Sequence, residues 1–144
     1  MYPYGLIFLL LLATSAQGQI VIDNAVIRLL PPGSATTSAY FRIKNSGDAD
    51  RTIVAASSSI ADTVELHKHV MSGDMMKMEK QQEVVLGAGQ TVVFAPGGLH
   101  LMFFGLHKPL QKEQGVDIQL KLQDGELVNF SALPLEPGTQ SHHH

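Results

Sequence analysis

Histidines and methionines gathered in one region, His67, His69, Met71, Met75, Met76, Met78, His100 and Met102, are the residues of this 144-residue chain whose types and spacing could do chemistry. Ten residues separate His67 from Met78, twenty-one separate Met78 from His100, and one separates His100 from Met102. Thioether sulfur is soft and neutral and favours Cu(I) over Zn(II), Ca(II) or Mg(II), while imidazole adds affinity and also suits copper. Two of each make a neutral donor set, so a buried monovalent ion would leave only a single positive charge. The chain has no cysteine, which excludes blue-copper electron-transfer centres, cysteine zinc sites and all thiol chemistry. The residues point to copper carriage.

Strands are the elements that must position these groups. In GGLHLMFFGLHKP (97–109), alternation sets His100 and Met102 on one face and Leu101 and Phe103 on the other, where they would anchor the strand. The paired glycines at 97 and 98 let the chain turn tightly into that strand. In TVELHKHVM (63–71), Glu65, His67, His69 and Met71 share one face, and Val64, Leu66 and Val70 take the other. A Ser72-Gly73-Asp74 turn leads into MMKMEK, where Met76 and Met78 share a face.

A lone methionine usually fills a core gap, and a lone strand histidine is usually a surface or satisfied core residue. Met75, Met76 and Met78, however, sit among Asp74, Lys77 and Glu79, a segment too polar for a core. Five of the six methionines fall between positions 71 and 102. His69, Met71, Met75 and Met76 therefore stand as auxiliary capture or hand-off groups. His107, beyond Gly105, reads as a surface histidine.

Runs of β-branched and apolar residues recur along the chain with turn signals between them, the mark of an all-β sandwich or barrel. Strands are expected over 20–30, 38–45, 51–57, 63–71, 75–80, 90–95, 99–104, 116–123 and 126–133, with Asp124-Gly125 marking a tight hairpin. No repeat or linker divides the chain, so a single domain is expected over 19–133. A net charge of -3 offers no basic surface for nucleic acid. Residues 1–18 carry no charged side chain and hold an apolar run from Leu6 to Ala13, too short to span a bilayer, which reads as an export signal peptide. Periplasmic location follows, with membrane contact only through that segment if it stays uncleaved. The polar tail 134–144 should be flexible. Its terminal histidines (142–144) are either the remnant of an affinity tag or a natural metal-catching tail, which leaves open a secondary Cu(II) site.

The spacing of His67, Met78, His100 and Met102 resembles the copper-binding pattern of the periplasmic copper chaperones of the PCu(A)C type. The resemblance extends to IDNAVIRLLPP (22–32), residues 38–45, TVELH (63–67) and PGGLHLMFFGLHKPL (96–110), and so covers about 20–133. It implies a cupredoxin-like Greek-key β-sandwich that holds Cu(I) through those four side chains. It also implies supply of copper to an acceptor such as the Cu(A) domain of oxidase subunit II, alongside Sco-type proteins. The chain departs from the pattern at Lys68, where the family often has Met, and at Val26, where it commonly has Trp. No nucleophilic serine motif, paired catalytic carboxylates or HExxH pattern supports an enzyme. Copper storage without dedicated transfer shares every ligand and is the alternative.

Overall fold

Ten strands form where short alternating runs lie between turns, and no helix occurs among the described residues. The structure is a computed structural model and describes residues 19–137. The expected signal peptide and the terminal histidines lie outside the described residues. In chain order the strands are β1 (Ile20–Arg28), β2 (Thr36–Asn45), β3 (Arg51–Ser57), β4 (Ala61–Ser72), β5 (Met75–Lys80), β6 (Val84–Leu86), β7 (Thr91–Phe94), β8 (Leu99–Leu106), β9 (Val116–Leu122) and β10 (Leu127–Leu135).

Seven of these close into a ring in the order β4, β8, β2, β1, β10, β9, β3, with β3 returning to β4 through the pair Ala56↔Val64. Closure removes the unpaired edges that an open sheet of this size would expose. β1 runs parallel to β10, and every other pairing is antiparallel. β5 extends the ring as a flap on the outer edge of β4.

The ring encloses the apolar face of each strand. Phe41, Phe94, Phe103, Ile27, Ile43, Ile53, Leu86, Leu101 and Leu120 are fully or almost fully buried. Phe41 stacks on Phe94 with ring centroids 4.3 Å apart and meets Phe130 at 4.9 Å. The alternation expected in β9 is present, with Val116, Ile118, Leu120 and Leu122 all buried.

Two features depart from expectation. β6 has three residues, too few for alternation to show in sequence, and exists because Arg51, Thr52 and Ile53 of β3 pair with it. β10 continues through Pro134 to Leu135, two residues past the expected end of the domain. Its pairing with β9 ends at Ala132, so the missing N–H of Pro134 breaks no bond on that side, while β1 holds the extension on the other.

The detail that matters for the site lies between β7 and β8. Both pair with the same edge of β2, β7 along Phe41–Lys44 and β8 along Thr36–Ala39. Residues 95–98 leave the ladder between them as a turn with Gly97 at φ +83°, a conformation that favours glycine. That turn brings the Gly98 carbonyl against β4, where it accepts the backbone N–H of His69 at 3.2 Å.

Candidate metal centre

β4 and β8 are paired so that His67 lies directly opposite His100 and Glu65 opposite Met102. On the far edge of β8, Ser38 of β2 lies opposite Met102, and its hydroxyl donates to the Met102 sulfur at 3.4 Å. The two imidazole centroids are 5.9 Å apart. His100 is 2% exposed and His67 8%, deeper than a surface site would require. Tyr40 and Phe104 flank them, at 6.4 Å from the His100 ring and 5.8 Å from the His67 ring.

Hydrogen bonds set the tautomers. The carbonyl of Gly98 accepts from Nδ1 of His100 at 3.2 Å, which in the neutral ring leaves the lone pair on Nε2. Nε2 of His67 donates to the Glu65 carboxylate at 2.8 Å, which leaves its lone pair on Nδ1. That Nδ1 is buried without a partner, as is Nδ1 of His69. A buried polar atom left unpaired costs about 1–3 kcal/mol, so these two nitrogens are placed as metal donors would be.

Glu65 is held below the ordinary carboxylate range, first by the hydrogen bond from His67 and also by Lys80, whose Nζ lies 3.4 Å from the other oxygen. Burial pushes the His100 imidazole below its ordinary range; the Gly98 hydrogen bond opposes this and the neighbouring His69 and His67 add to it.

Met78 stands elsewhere on the same face. The β4–β5 ladder sets it opposite His69, while His67 faces Lys80 and Met71 faces Met76. Along β4, Met78 is level with residue 69 and Met102 with residue 65. Four residues of strand and two strand spacings put the two backbones roughly 16 Å apart. In this register Met78 stands two rows from Met102, and for both to reach one ion the β4–β5 hairpin must curl over the face. His69 lies nearer to His100 than His67 does, with centroids 4.9 Å apart and the rings edge to face.

Met71, Met75, Met76 and Met78 are all exposed, Met71 and Met75 by about two thirds (64% and 67%). Met75 points to the opposite face of β5 from Met76 and Met78, as strand alternation requires. Among the described residues no three His, Asp or Glu side chains are arranged to hold a metal by themselves. Thioether sulfur is the other donor type on this face, from Met102 of β8 and from Met76 and Met78 of β5. His107 is remote from this face: its Nε2 lies 2.7 Å from Asp62 and its Nδ1 3.2 Å from the Ser59 carbonyl.

Sequence reasoning gave no role to Glu65 or to the Gly98 carbonyl. The Glu-x-His spacing was the available signal for the first, since alternation sets residues 65 and 67 side by side. The second depends on where residues 95–98 leave the ladder, which no local pattern reveals.

A closed all-β sandwich with imidazoles and thioethers gathered on one strand face defines a cupredoxin-like class of domain. The chain belongs to the LpqE-like family, whose model, described as "Putative lipoprotein LpqE-like", matches residues 20–134. A relative from Leifsonia xyli subsp. xyli, "Putative lipoprotein Lxx21020", is 36% identical over 94 residues, 65% of this chain; the chain spans 57% of that relative's length. The fold is shared with the copper-bound PCuAC domain of PmoF2, at TM-score 0.71 and 20% identity over 85% of this chain and 97% of that one. The Cu(I) form of DR1885 from Deinococcus radiodurans is 29% identical at TM-score 0.64, over 87% of this chain and 85% of that one. The PCu(A)C resemblance read from the sequence thus extends to the whole fold.

Proposed function

We propose that this chain is an exported copper chaperone that carries Cu(I) on the β4–β5–β8 face, with His67, Met78, His100 and Met102 as donors. The observation that carries the reading is the directly opposed pair His67 and His100, each with one nitrogen engaged by the protein and the other left as a lone pair. Soft sulfur from Met102, beside this pair, selects Cu(I) over the harder divalent ions. The solved relatives with copper in them, the PmoF2 domain and DR1885, support the choice of metal. The family description as a lipoprotein supports export to the periplasm.

The chain does no chemistry on the ion. Its task is to hold Cu(I) and release it to an acceptor, such as the Cu(A) domain of oxidase subunit II or a Sco-type protein. The exposed thioethers on β5 let an acceptor's ligand enter before a donor of this chain leaves, so transfer proceeds by exchange and free copper is never released. A secondary Cu(II) site belongs to the terminal histidines (142–144), if they are native to the chain.

The test is anaerobic Cu(I) titration of the wild type, Met78→Ala and His100→Ala proteins, followed by mixing with an apo Cu(A) domain. Stoichiometric binding with transfer faster than loss to a chelator is the expected result. Binding without transfer assigns the chain to storage, and no binding overturns both.

A further inference from the structure

β5 leaves an open edge. It pairs with β4 on one side, and among the described residues no strand lies on its other side. All six of its residues are exposed. The backbone N–H of Gln81 donates to the Leu66 carbonyl at 2.8 Å, so the main-chain groups of residue 81 point toward β4. The N–H of His69 donates to the Gly98 carbonyl, and so points away from β5. Main-chain groups of an antiparallel strand alternate between its two sides. Met75, Lys77 and Glu79 therefore bond toward β4, and the N–H and C=O groups of Met76, Met78 and Lys80 point to the open edge.

Such an edge is a template for pairing with another chain, and lysine on it usually opposes that pairing. The sequence MMKMEK instead suits a second copy of itself. Only residues whose main-chain groups face the edge can exchange hydrogen bonds across it. The fullest antiparallel overlap of Met76, Met78 and Lys80 sets Met78 opposite Met78 of the second copy, and Met76 opposite Lys80. This register also sets Lys77 opposite Glu79 in both directions, at the non-hydrogen-bonded positions where side chains come closest. Among the described residues neither Lys77 nor Glu79 makes an ion pair. Lys68 faces Glu79 across the β4–β5 ladder, so each Glu79 would stand between two lysines.

We propose that β5 is a self-complementary docking edge through which two copies of this chain pair as a two-fold dimer. Each facing pair among Met76, Met78 and Lys80 exchanges two main-chain hydrogen bonds, and the Lys77 and Glu79 pairs fix the register. A contact along one strand edge is small, at the weak end of protein interfaces, so the dimer forms and dissociates with concentration. Directly opposed residues share a face, so the pairing sets the histidine and methionine faces of the two copies side by side on one continuous sheet. It draws on no metal.

The test is sedimentation velocity of the full metal-free chain over a concentration series, with a chelator present so that no metal can bridge the terminal histidines. A concentration-dependent dimer is expected. Lys77→Glu and Glu79→Lys each set like charges opposite one another, and each variant should be monomeric over the same range. An equimolar mixture of the two variants restores both opposite-charge pairs and should dimerise. Hydrogen exchange in the wild type needs no variant: with rising concentration it should slow at the amides of Met76, Met78 and Lys80 and hold constant at those of Lys77 and Glu79. A wild type that stays monomeric, a dimer that survives both charge reversals, or a mixture that stays monomeric would overturn the proposal. The copper reading stands in each of these cases, since the Cu(I) titration tests it separately.

Discussion

His67 and His100 face each other across the β4–β8 ladder with ring centroids 5.9 Å apart, and each is fixed by a different acceptor, Glu65 for the first and the Gly98 carbonyl for the second. The imidazoles are thereby oriented before any ion arrives, and the entropy of ordering them is spent in folding.

Glu65 acts on metal only through His67. Glu65→Gln keeps the shape of the side chain but removes the charge that holds the Nε2–H tautomer. Loss of such a partner typically lowers metal affinity by ~10–100-fold. Competition with a Cu(I) chelator should show a drop of that order in Glu65→Gln, with thermal stability of the apo protein changed little.

Acid should destabilise the metal-free fold in two stages. His100 has a folded pKa below its ordinary value of 6.5, so as pH falls past that value the unfolded chain takes up its proton first. Stability therefore rises with pH through this window and is lost below it. Glu65, held below its ordinary 4.5, contributes stability present above that value and lost as pH falls through its folded pKa. Urea midpoints between pH 7.5 and 5 should decline in the wild type and decline less in His100→Gln; equal slopes would mean that burial of His100 has no such cost.

The alternation of polar and apolar residues was legible from the sequence because its period of two sorts faces without knowledge of the partner strand. It placed Leu101 and Phe103 in the core and put His100 and Met102 together. Rows were harder to read than faces. The β4–β5 register follows from the two-residue turn at Gly73-Asp74, which sets Ser72 opposite Met75 and hence His69 opposite Met78. Counting back from that turn would have found His69. The β4–β8 register joins segments more than thirty residues apart through the whole ring, and no local signal encodes it.

Leu101 is fully buried behind the site strand. Leu101→Ala should cost about 2–5 kcal/mol of stability, read as a lower urea midpoint at unchanged slope. Cu(I) binding should persist where the variant remains folded, since Leu101 faces away from His100.

Gly97, at φ +83°, shapes the turn that presents the Gly98 carbonyl. Gly97→Ala should cost roughly 1–2 kcal/mol, the usual penalty for an L-residue forced into left-handed backbone. It should also weaken copper binding by loosening His100, an effect that Gly89→Ala, at a similar φ of +70° but away from the site, should not share.

The central claim is that this face binds copper through both sulfur and nitrogen. X-ray absorption at the copper edge of the Cu(I)-loaded chain tests it most directly. A shell of mixed thioether sulfur and imidazole nitrogen, losing sulfur in Met102→Leu, is the predicted result. A shell of nitrogen and oxygen alone, unchanged in that variant, would contradict it.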